Sequence, residues 1–257
     1  MKFVYACYGK AGLDCLYQLL NQEECSPEDI FAVTYADEGN KILLDHLRAL
    51  GVRHTTGNIN SGAVLDEIKD FSPDFLFSIY FRDIIKQNAL GLVKRASVNL
   101  HPSLLPDYKG CFSAPWAIIN GEQKTGITYH IIEAGVDTGE IITQREIAIH
   151  SSETAFSLYH RLVGLGTELF PEMFDRVVRK GYRGVVQSAG GRRYKRGIPN
   201  GGFFKLEDGK EHISRFIRAM YFPPFEGAKL EHDGKVYEFK TLAQFAAFCS
   251  EFNIEVR

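Results

Sequence analysis

An amide, an imidazole and a carboxylate stand out in this sequence because of their spacing. Asn99 and His101 lie one residue apart at the end of an apolar run, and an extended strand would point both side chains to the same face. Pro102 and Pro106 then force the chain out of regular structure. A carboxylate follows at Asp137, between glycines that allow close approach of the backbone. An amide can donate to a carbonyl oxygen and an imidazole can move a proton near neutral pH, so these residues form a candidate catalytic site.

The elements that must position these residues follow from the pattern of apolar side chains. Short apolar runs alternate with segments whose apolar residues have helical spacing. The runs predict strands over residues 3–7, 30–35, 75–80 and 96–100. The spacing predicts helices over residues 12–22, 41–50, 62–69 and 84–92. This alternation predicts an α/β fold, Rossmann-like, in which a mostly parallel sheet is flanked by helices on both faces.

The middle of the chain has a different pattern. Residues 113–120 should form a helix. Residues 125–133 and 140–149 alternate like the two strands of a hairpin, and the loop that joins them carries Asp137. The hairpin would therefore bring this carboxylate back towards the sheet.

The end of the chain predicts a second, smaller unit. A long amphipathic helix is expected over residues 154–180, with an interruption near Pro171. Beyond it, short strands, glycine-rich turns and a helix over residues 211–221 predict an α+β domain. The predicted domains are residues 1–180 and residues 181–257.

The stretch Asn-x-His-Pro-Ser-Leu-Leu-Pro that begins at Asn99, followed by Asp137 in a loop with glycines, resembles the folate-dependent formyltransferases. The similarity runs at least over residues 78–149. It implies transfer of a formyl group from 10-formyltetrahydrofolate to an amine, through a tetrahedral oxyanion. Asn99 would stabilise the oxyanion, His101 would handle protons, and Asp137 would orient His101. The neighbouring carboxylate would also raise the population of imidazolium.

The same resemblance implies where the formyl donor binds. The pterin would lie between the loop after the strand at 75–80 and the loop that carries Asp137. The candidate residues are Phe81, Arg82, Asp83, Ile84, Ile132, Glu133, Ala134, Gly135 and Val136. Simple core packing is the alternative for Phe81 and Ile84.

The C-terminal part looks like that of the sugar N-formyltransferases, which act on nucleotide-linked amino-dideoxy sugars. The nucleotide would be dTDP, GDP or UDP, and the product would serve lipopolysaccharide O-antigen biosynthesis. Lys195 and Arg196 could bind a pyrophosphate, and the aromatic segment 221–225 could wall the base or sugar. A solvated charge run and a hydrophobic contact between domains are the respective alternatives. The candidate acceptor residues are Tyr8, Gly9, Ser103, Gly110, Tyr194, Lys195, Arg196, Tyr221, Phe222 and Phe225.

Three other functions remain open from the sequence. A methionyl-tRNA formyltransferase shares the catalytic half but usually has a larger basic domain. Hydrolysis of the folate donor without an acceptor is a second possibility. A nucleotide-sugar binding module without catalysis is a third, and the intact Asn-x-His and Asp argue against it.

Composition and residue spacing argue against several further classes of function. A formal net charge of −2 argues against broad nucleic-acid binding. No apolar run approaches the length of a membrane span, and no cluster has the spacing of metal ligands, so no metal is expected. The five scattered cysteines are typical of reduced thiols in the cytoplasm. A homodimer is possible.

Overall fold

The computed structural model describes residues 1–182 and 184–256. Its strands are β1 (Phe3–Cys7), β2 (Ile30–Thr34), β3 (Arg53–Thr56), β4 (Phe75–Ile79), β5 (Ala96–His101), β6 (Lys109–Gly110), β7 (Lys124–Ile131), β8 (Ile141–Ala148), β9 (Arg193–Tyr194), β10 (Ala228–His232) and β11 (Lys235–Phe239). Its helices are α1 (Gly9–Leu20), α2 (Lys41–Ala49), α3 (Gly62–Phe71), α4 (Gln87–Leu90), α5 (Ser113–Ile119), α6 (Ala155–Phe174), α7 (Lys210–Met220) and α8 (Leu242–Glu251).

The main sheet has seven strands in the order β3-β2-β1-β4-β5-β7-β8. The first five of these pair in parallel, whereas β7 and β8 run antiparallel at one edge. The chain ends in a smaller α+β part with the antiparallel hairpin β10–β11. The predicted Rossmann-like class with a C-terminal α+β part is confirmed.

Alternation along the central strands builds two hydrophobic layers. Tyr5 and Cys7 of β1 pack on one face with Leu16 of α1. Val4 packs on the other face with Ile68 of α3. Because side chains of a strand point alternately to opposite faces, the apolar run of β1 is buried on both sides. The same alternation on β5 puts Asn99 and His101 on one face.

Two predicted helices differ from the structure, and one strand was not predicted. Helix α4 is a single turn, because residues before it form a loop held by hydrogen bonds; Asn60 Oδ1 accepts the N–H of Lys86 at 2.9 Å. Helix α6 continues through Pro171, and the irregularity is a π-helical turn over Asp175–Arg179. Buried side chains such as Phe170 hold the helix across the proline. The polar strand β3 was not predicted, since its residues are not an apolar run.

The C-terminal part packs directly on the first part. Phe216 of α7 and Leu230 of β10 belong to the same continuous core as Phe77 and Phe170. The boundary between residues 180 and 181 stays a prediction. Among the helices of the described residues, none is long and apolar enough to cross a membrane.

Candidate active site

Asn99 lies in the middle of the sheet, between strands on both sides. The register of β5 places it beside Ser78 of β4 and His130 of β7. Ser78 Oγ donates to Asn99 Oδ1 at 2.8 Å, and Asn99 Nδ2 lies 3.1 Å from His130 Nε2. These contacts fix the plane of the amide, so its second N–H keeps a defined direction.

His101 is buried at the carboxyl end of β5, with 3% of its surface exposed. Its Nε2 lies 2.8 Å from the carbonyl oxygen of Tyr108 and, since a carbonyl only accepts, must carry a proton. Its Nδ1 lies 3.5 Å from Asp137 Oδ2. Burial lowers the pKa of His101, and Asp137 opposes this only in part. Asp137 favours the imidazolium, as expected from the sequence, but burial outweighs this effect in the free protein.

Asp137 is held in place by backbone and side-chain contacts. The N–H of Gly110 donates to Asp137 Oδ2 at 2.7 Å, and His130 Nε2 lies 3.4 Å from Oδ1. Burial tends to raise the pKa of this carboxyl, but the positive charge that His101 carries when protonated, His130 and the Gly110 N–H outweigh it and hold the pKa well below its usual range. Asp137 is ionised, and it faces the ring nitrogen that His101 leaves free.

The loop at 81–84, which the sequence predicts to bind the donor, is held by hydrogen bonds. The Tyr35 hydroxyl accepts the N–H groups of Arg82 and Asp83, each at 3.1 Å. The Arg82 guanidinium lies 3.5 Å above the ring of Tyr8. Ile84 is 67% exposed, so core packing does not explain it.

An open cavity of about 830 Å³ lies beside the start of β5, where Ala96 and Ser97 line it. Three of the residues predicted to bind the donor line it, namely Ile132, Glu133 and Ala134. The loop at 81–84, Gly135 and Val136 are not among its walls. Ser97 lines the cavity and lies two residues before Asn99, whereas Asn99 and His101 are not among the walls.

Several predicted acceptor residues lie on one rim of the site. Tyr8 is beneath Arg82, and Arg196 donates to the carbonyl of Arg82. Gly9 begins α1 with a φ of 59°, and its N–H donates to Asn40 Oδ1 at 2.9 Å. The structure therefore brings Tyr8, Gly9 and Arg196 together.

Other predicted acceptor residues have different surroundings. Ser103 is fully buried, and its hydroxyl donates to the carbonyl of Asp107, so it has a role within its own loop that differs from the predicted acceptor contact. Gly110 contacts Asp137 through its N–H. Phe222 packs against the rings of Phe156 and Tyr159.

Three further acceptor candidates are at least partly accessible. Phe225 is 67% exposed, and it lines a small cavity of about 40 Å³ together with Tyr221. Lys195 is also exposed. In residues 1–182 and 184–256 there is no group of three or more His, Cys, Asp or Glu side chains that could hold a metal ion.

Comparison with known proteins agrees with this geometry. The model of a family described as formyl transferase matches residues 41–174. A GDP-perosamine N-formyltransferase of Brucella melitensis is 37% identical over 236 residues, which cover 92% of this chain and 91% of the relative. The chain belongs to the formyl transferase family.

Two further members of the family show how far the similarity extends. A methionyl-tRNA formyltransferase of Geobacter sulfurreducens is 35% identical over 161 residues, but these cover 59% of this chain and 51% of that protein. A crystal structure of an N-formyltransferase from Helicobacter canadensis, in complex with folinic acid and dTDP-3-aminofucose, has a TM-score of 0.76. It is 24% identical, covers 91% of this chain and 85% of its own, and shows the shared fold.

Three residues of this formyl transferase site were not predicted to serve the catalytic groups. His130 contacts both Asn99 and Asp137, Tyr108 contributes a carbonyl, and Gly110 contributes an N–H. One signal for His130 was present, because it is a polar residue in a buried strand that leads into the Asp137 loop. Tyr108 and Gly110 act through backbone atoms, and such contacts leave no signal in the residue type.

Proposed function

We propose that the protein transfers a formyl group from 10-formyltetrahydrofolate to the amino group of a nucleotide-linked amino-dideoxy sugar. The observation that carries this proposal is the convergence of Asn99, His101 and Asp137 at the carboxyl end of β5. The extent of the match to a GDP-perosamine N-formyltransferase supports a sugar nucleotide as acceptor, since it includes the C-terminal part.

The proposed donor site is the open cavity beside β5. A pterin there would contact Ile132, Glu133 and Ala134, with Ser97 at the inner wall. Two strand residues span about 6.6 Å, which is close to the distance that separates a pterin from a formyl group on N10. Asn99 would then meet the formyl oxygen. We propose that the loop at 81–84 closes the other side of the slot.

The proton and charge requirements of the reaction match the three catalytic residues. The donor supplies a formyl carbon that is open to attack by an amine. Asn99 Nδ2 donates to the formyl oxygen, where negative charge develops. His101 carries its proton on Nε2, so Nδ1 accepts a proton from the attacking amine. Asp137 lies 3.5 Å from Nδ1 and stabilises the imidazolium that results. When the bond between the formyl carbon and N10 of the donor breaks, the imidazolium returns this proton to N10, and tetrahydrofolate leaves.

The acceptor would bind on the rim formed by Tyr8, Arg82 and Arg196. We propose that Lys195 and Arg196 contact the pyrophosphate, because both are on the exposed side of the segment that reaches Arg82. The exposed ring of Phe225, with Tyr221 and Phe222 behind it, would wall the base or sugar.

The biological setting is also a proposal. We propose a cytoplasmic homodimer that supplies formylated sugars for lipopolysaccharide O-antigen. The five cysteines are free in the structure, as in a reducing compartment. Sedimentation of the purified protein would test the dimer, and a monomer at micromolar concentration would contradict it.

The decisive experiment offers the purified protein 10-formyltetrahydrofolate with a panel of dTDP-, GDP- and UDP-linked amino sugars. Mass spectrometry should detect one acceptor that gains a formyl group. Asn99→Ala is the matched control for chemical formylation by the donor alone. Initiator methionyl-tRNA and buffer without acceptor belong in the same series. Preferential formylation of the tRNA, or donor hydrolysis alone, would refute the sugar acceptor.

A further inference from the structure

We propose that residues 187–196, which we name the strap, are a positioning element of the active site, with Gln187 and Tyr194 as its anchors. The strap holds the backbone at residues 108–110 and at residues 137–139, and this backbone orients His101 and Asp137. The inference rests on the proposed formyl transfer. It also assigns Tyr194 a role other than contact with the acceptor.

Both catalytic side chains depend on one short peptide. The carbonyl of Tyr108 accepts from His101 Nε2 at 2.8 Å, which fixes the ring and its tautomer. Two residues later, the N–H of Gly110 donates to the Asp137 carboxylate at 2.7 Å. A shift of residues 108–110 would therefore move the imidazole and the carboxylate together.

The strap pairs with this peptide as a parallel strand, through β9 and β6. The N–H of Lys109 donates to the carbonyl of Arg192 at 2.9 Å, and the N–H of Cys111 donates to the carbonyl of Tyr194 at 3.1 Å. Gly110 has a φ of 91°, and a Cβ there would overlap the carbonyl of Tyr194. The close approach of the two segments thus requires the glycine.

Tyr194 anchors the strap by its ring. The ring lies between those of Trp116 and Tyr108, at centroid distances of 4.6 and 5.5 Å, and is nearly parallel to both. Its hydroxyl accepts from Asn120 Nδ2 at 2.8 Å. Because both faces of the ring are covered, neither is free to stack on a base or sugar. The contacts instead join the strap to α5 and to the peptide that holds His101.

Gln187 anchors the strap to the loop that carries Asp137. Its Nε2 donates to the carbonyl of Asp137 at 2.9 Å and to that of Gly139 at 2.7 Å. Asp137 has a φ of 53°, a left-handed conformation that is unfavourable for most residues other than glycine. An amide that binds two carbonyls of this turn stabilises it, and a carboxylate in its place could not donate.

The first test uses Tyr194→Leu, which keeps apolar volume but removes the stack, and Tyr194→Phe, which keeps the stack. We expect Tyr194→Leu to lower kcat on the order of 10²-fold, as a small misplacement of catalytic groups does. KM for donor and acceptor should change little. Tyr194→Phe should restore most of the activity. Tyr17→Leu, a half-exposed ring on α1, is the matched control and should leave kcat unchanged.

The second test needs no substrate, so it separates failure of the strap from failure of the proposed reaction. NMR titration of the His101 ring should give a pKa below that of a free histidine in the wild type, since burial lowers it. The charged or titratable groups that face this ring are Asp137 and His130. In Tyr194→Leu and in Gln187→Met, neither of which adds a charge, the pKa should move up towards the ordinary value, as water reaches the ring.

Two results would overturn the proposal. One is a Tyr194→Leu variant with normal kcat and a raised acceptor KM, which would make Tyr194 an acceptor contact. The other is an unchanged His101 titration in folded Gln187→Met. If Tyr194→Leu does not fold, as judged by circular dichroism, Gln187→Met decides the question, because it keeps the length of the side chain, removes both donors and adds no charge.

Discussion

At the scale of single residues, the amide of Asn99 has its direction set by its neighbours before any substrate binds. Ser78 Oγ donates to its oxygen and His130 lies beside its nitrogen. Such preorganised donors lower the cost of developing charge in a transition state. We expect Asn99→Ala to lower kcat by about 10²–10³-fold, measured by steady-state kinetics with circular dichroism as a check on folding. Near-normal turnover in the folded variant would remove Asn99 from the site.

Removal of the His101 or Asp137 side chain should lower activity at least as much as Asn99→Ala does. Proton transfer by a positioned side chain typically contributes about 10²–10⁴-fold, and the two groups act as a pair at 3.5 Å. We expect His101→Ala and Asp137→Ala each to lose activity in that range. The double variant should lose little more than either single variant, because the residues work together. Additive losses in the double variant would contradict a shared role.

The pH dependence follows from the environment of His101. Its Nδ1 must be unprotonated to accept a proton from the amine. Burial lowers the pKa of His101, so the ring stays neutral at more acidic pH than a free histidine. The acid limb of kcat/KM should therefore lie below about 6.5. Asp137→Asn removes the carboxylate that favours imidazolium, so its residual activity should show an acid limb at still lower pH. A wild-type limb at or above pH 6.5 that Asp137→Asn leaves in place would count against His101 as the base.

At the scale of secondary structure, the site depends on strand pairing that the sequence does not display. The motif predicted the end of β5 and the Asp137 loop, since each is marked by its own residue types in the sequence. His130 joined them through the antiparallel pairing of β5 with β7. Tyr108 and Gly110 act through their backbone, where the residue type reveals little. The sequence alone did not reveal these three residues, because only tertiary contacts bring them to the site.

Helix α6 offers a matched pair of glycines for a stability test. Among the described residues, no heavy atom outside the local helix lies within 4 Å of a Cβ built on Gly164, whereas one on Gly166 would lie 2.9 Å from Leu100 Cδ2. Alanine stabilises a helix interior by roughly 0.5–1 kcal/mol relative to glycine. Gly164→Ala should therefore raise the free energy of unfolding.

Gly166→Ala should instead lower the free energy of unfolding, because it presses on the residue that precedes His101. Chemical denaturation of the two variants checks both signs. We also expect Gly166→Ala to reduce kcat, while Gly164→Ala leaves it unchanged. Equal stabilisation by both substitutions would show that the Leu100 side chain moves aside without lowering the free energy of unfolding.

At the scale of the whole molecule, the donor and the acceptor approach the catalytic residues from different sides. The cavity proposed for the donor is walled by the loop at 131–134 and the start of β5. The rim proposed for the acceptor is formed by Tyr8, Arg82 and Arg196. The C-terminal part shares its core with the first part. We therefore expect neither part to loosen as a separate unit.

Because the proposed donor and acceptor sites are separate, the charges on the strap should affect KM for one substrate only. Lys195→Ala and Arg196→Ala should raise KM for the nucleotide sugar several-fold, an effect limited by the exposure of both side chains. KM for the formyl donor should barely move. Lys124→Ala, which removes an exposed lysine paired with Glu146 on the β7–β8 edge, is the matched control for the loss of one charge. Steady-state kinetics with each substrate varied in turn would measure both constants. A similar rise in both, or in neither, would leave Lys195 and Arg196 as solvated charges and move the pyrophosphate to another part of the rim.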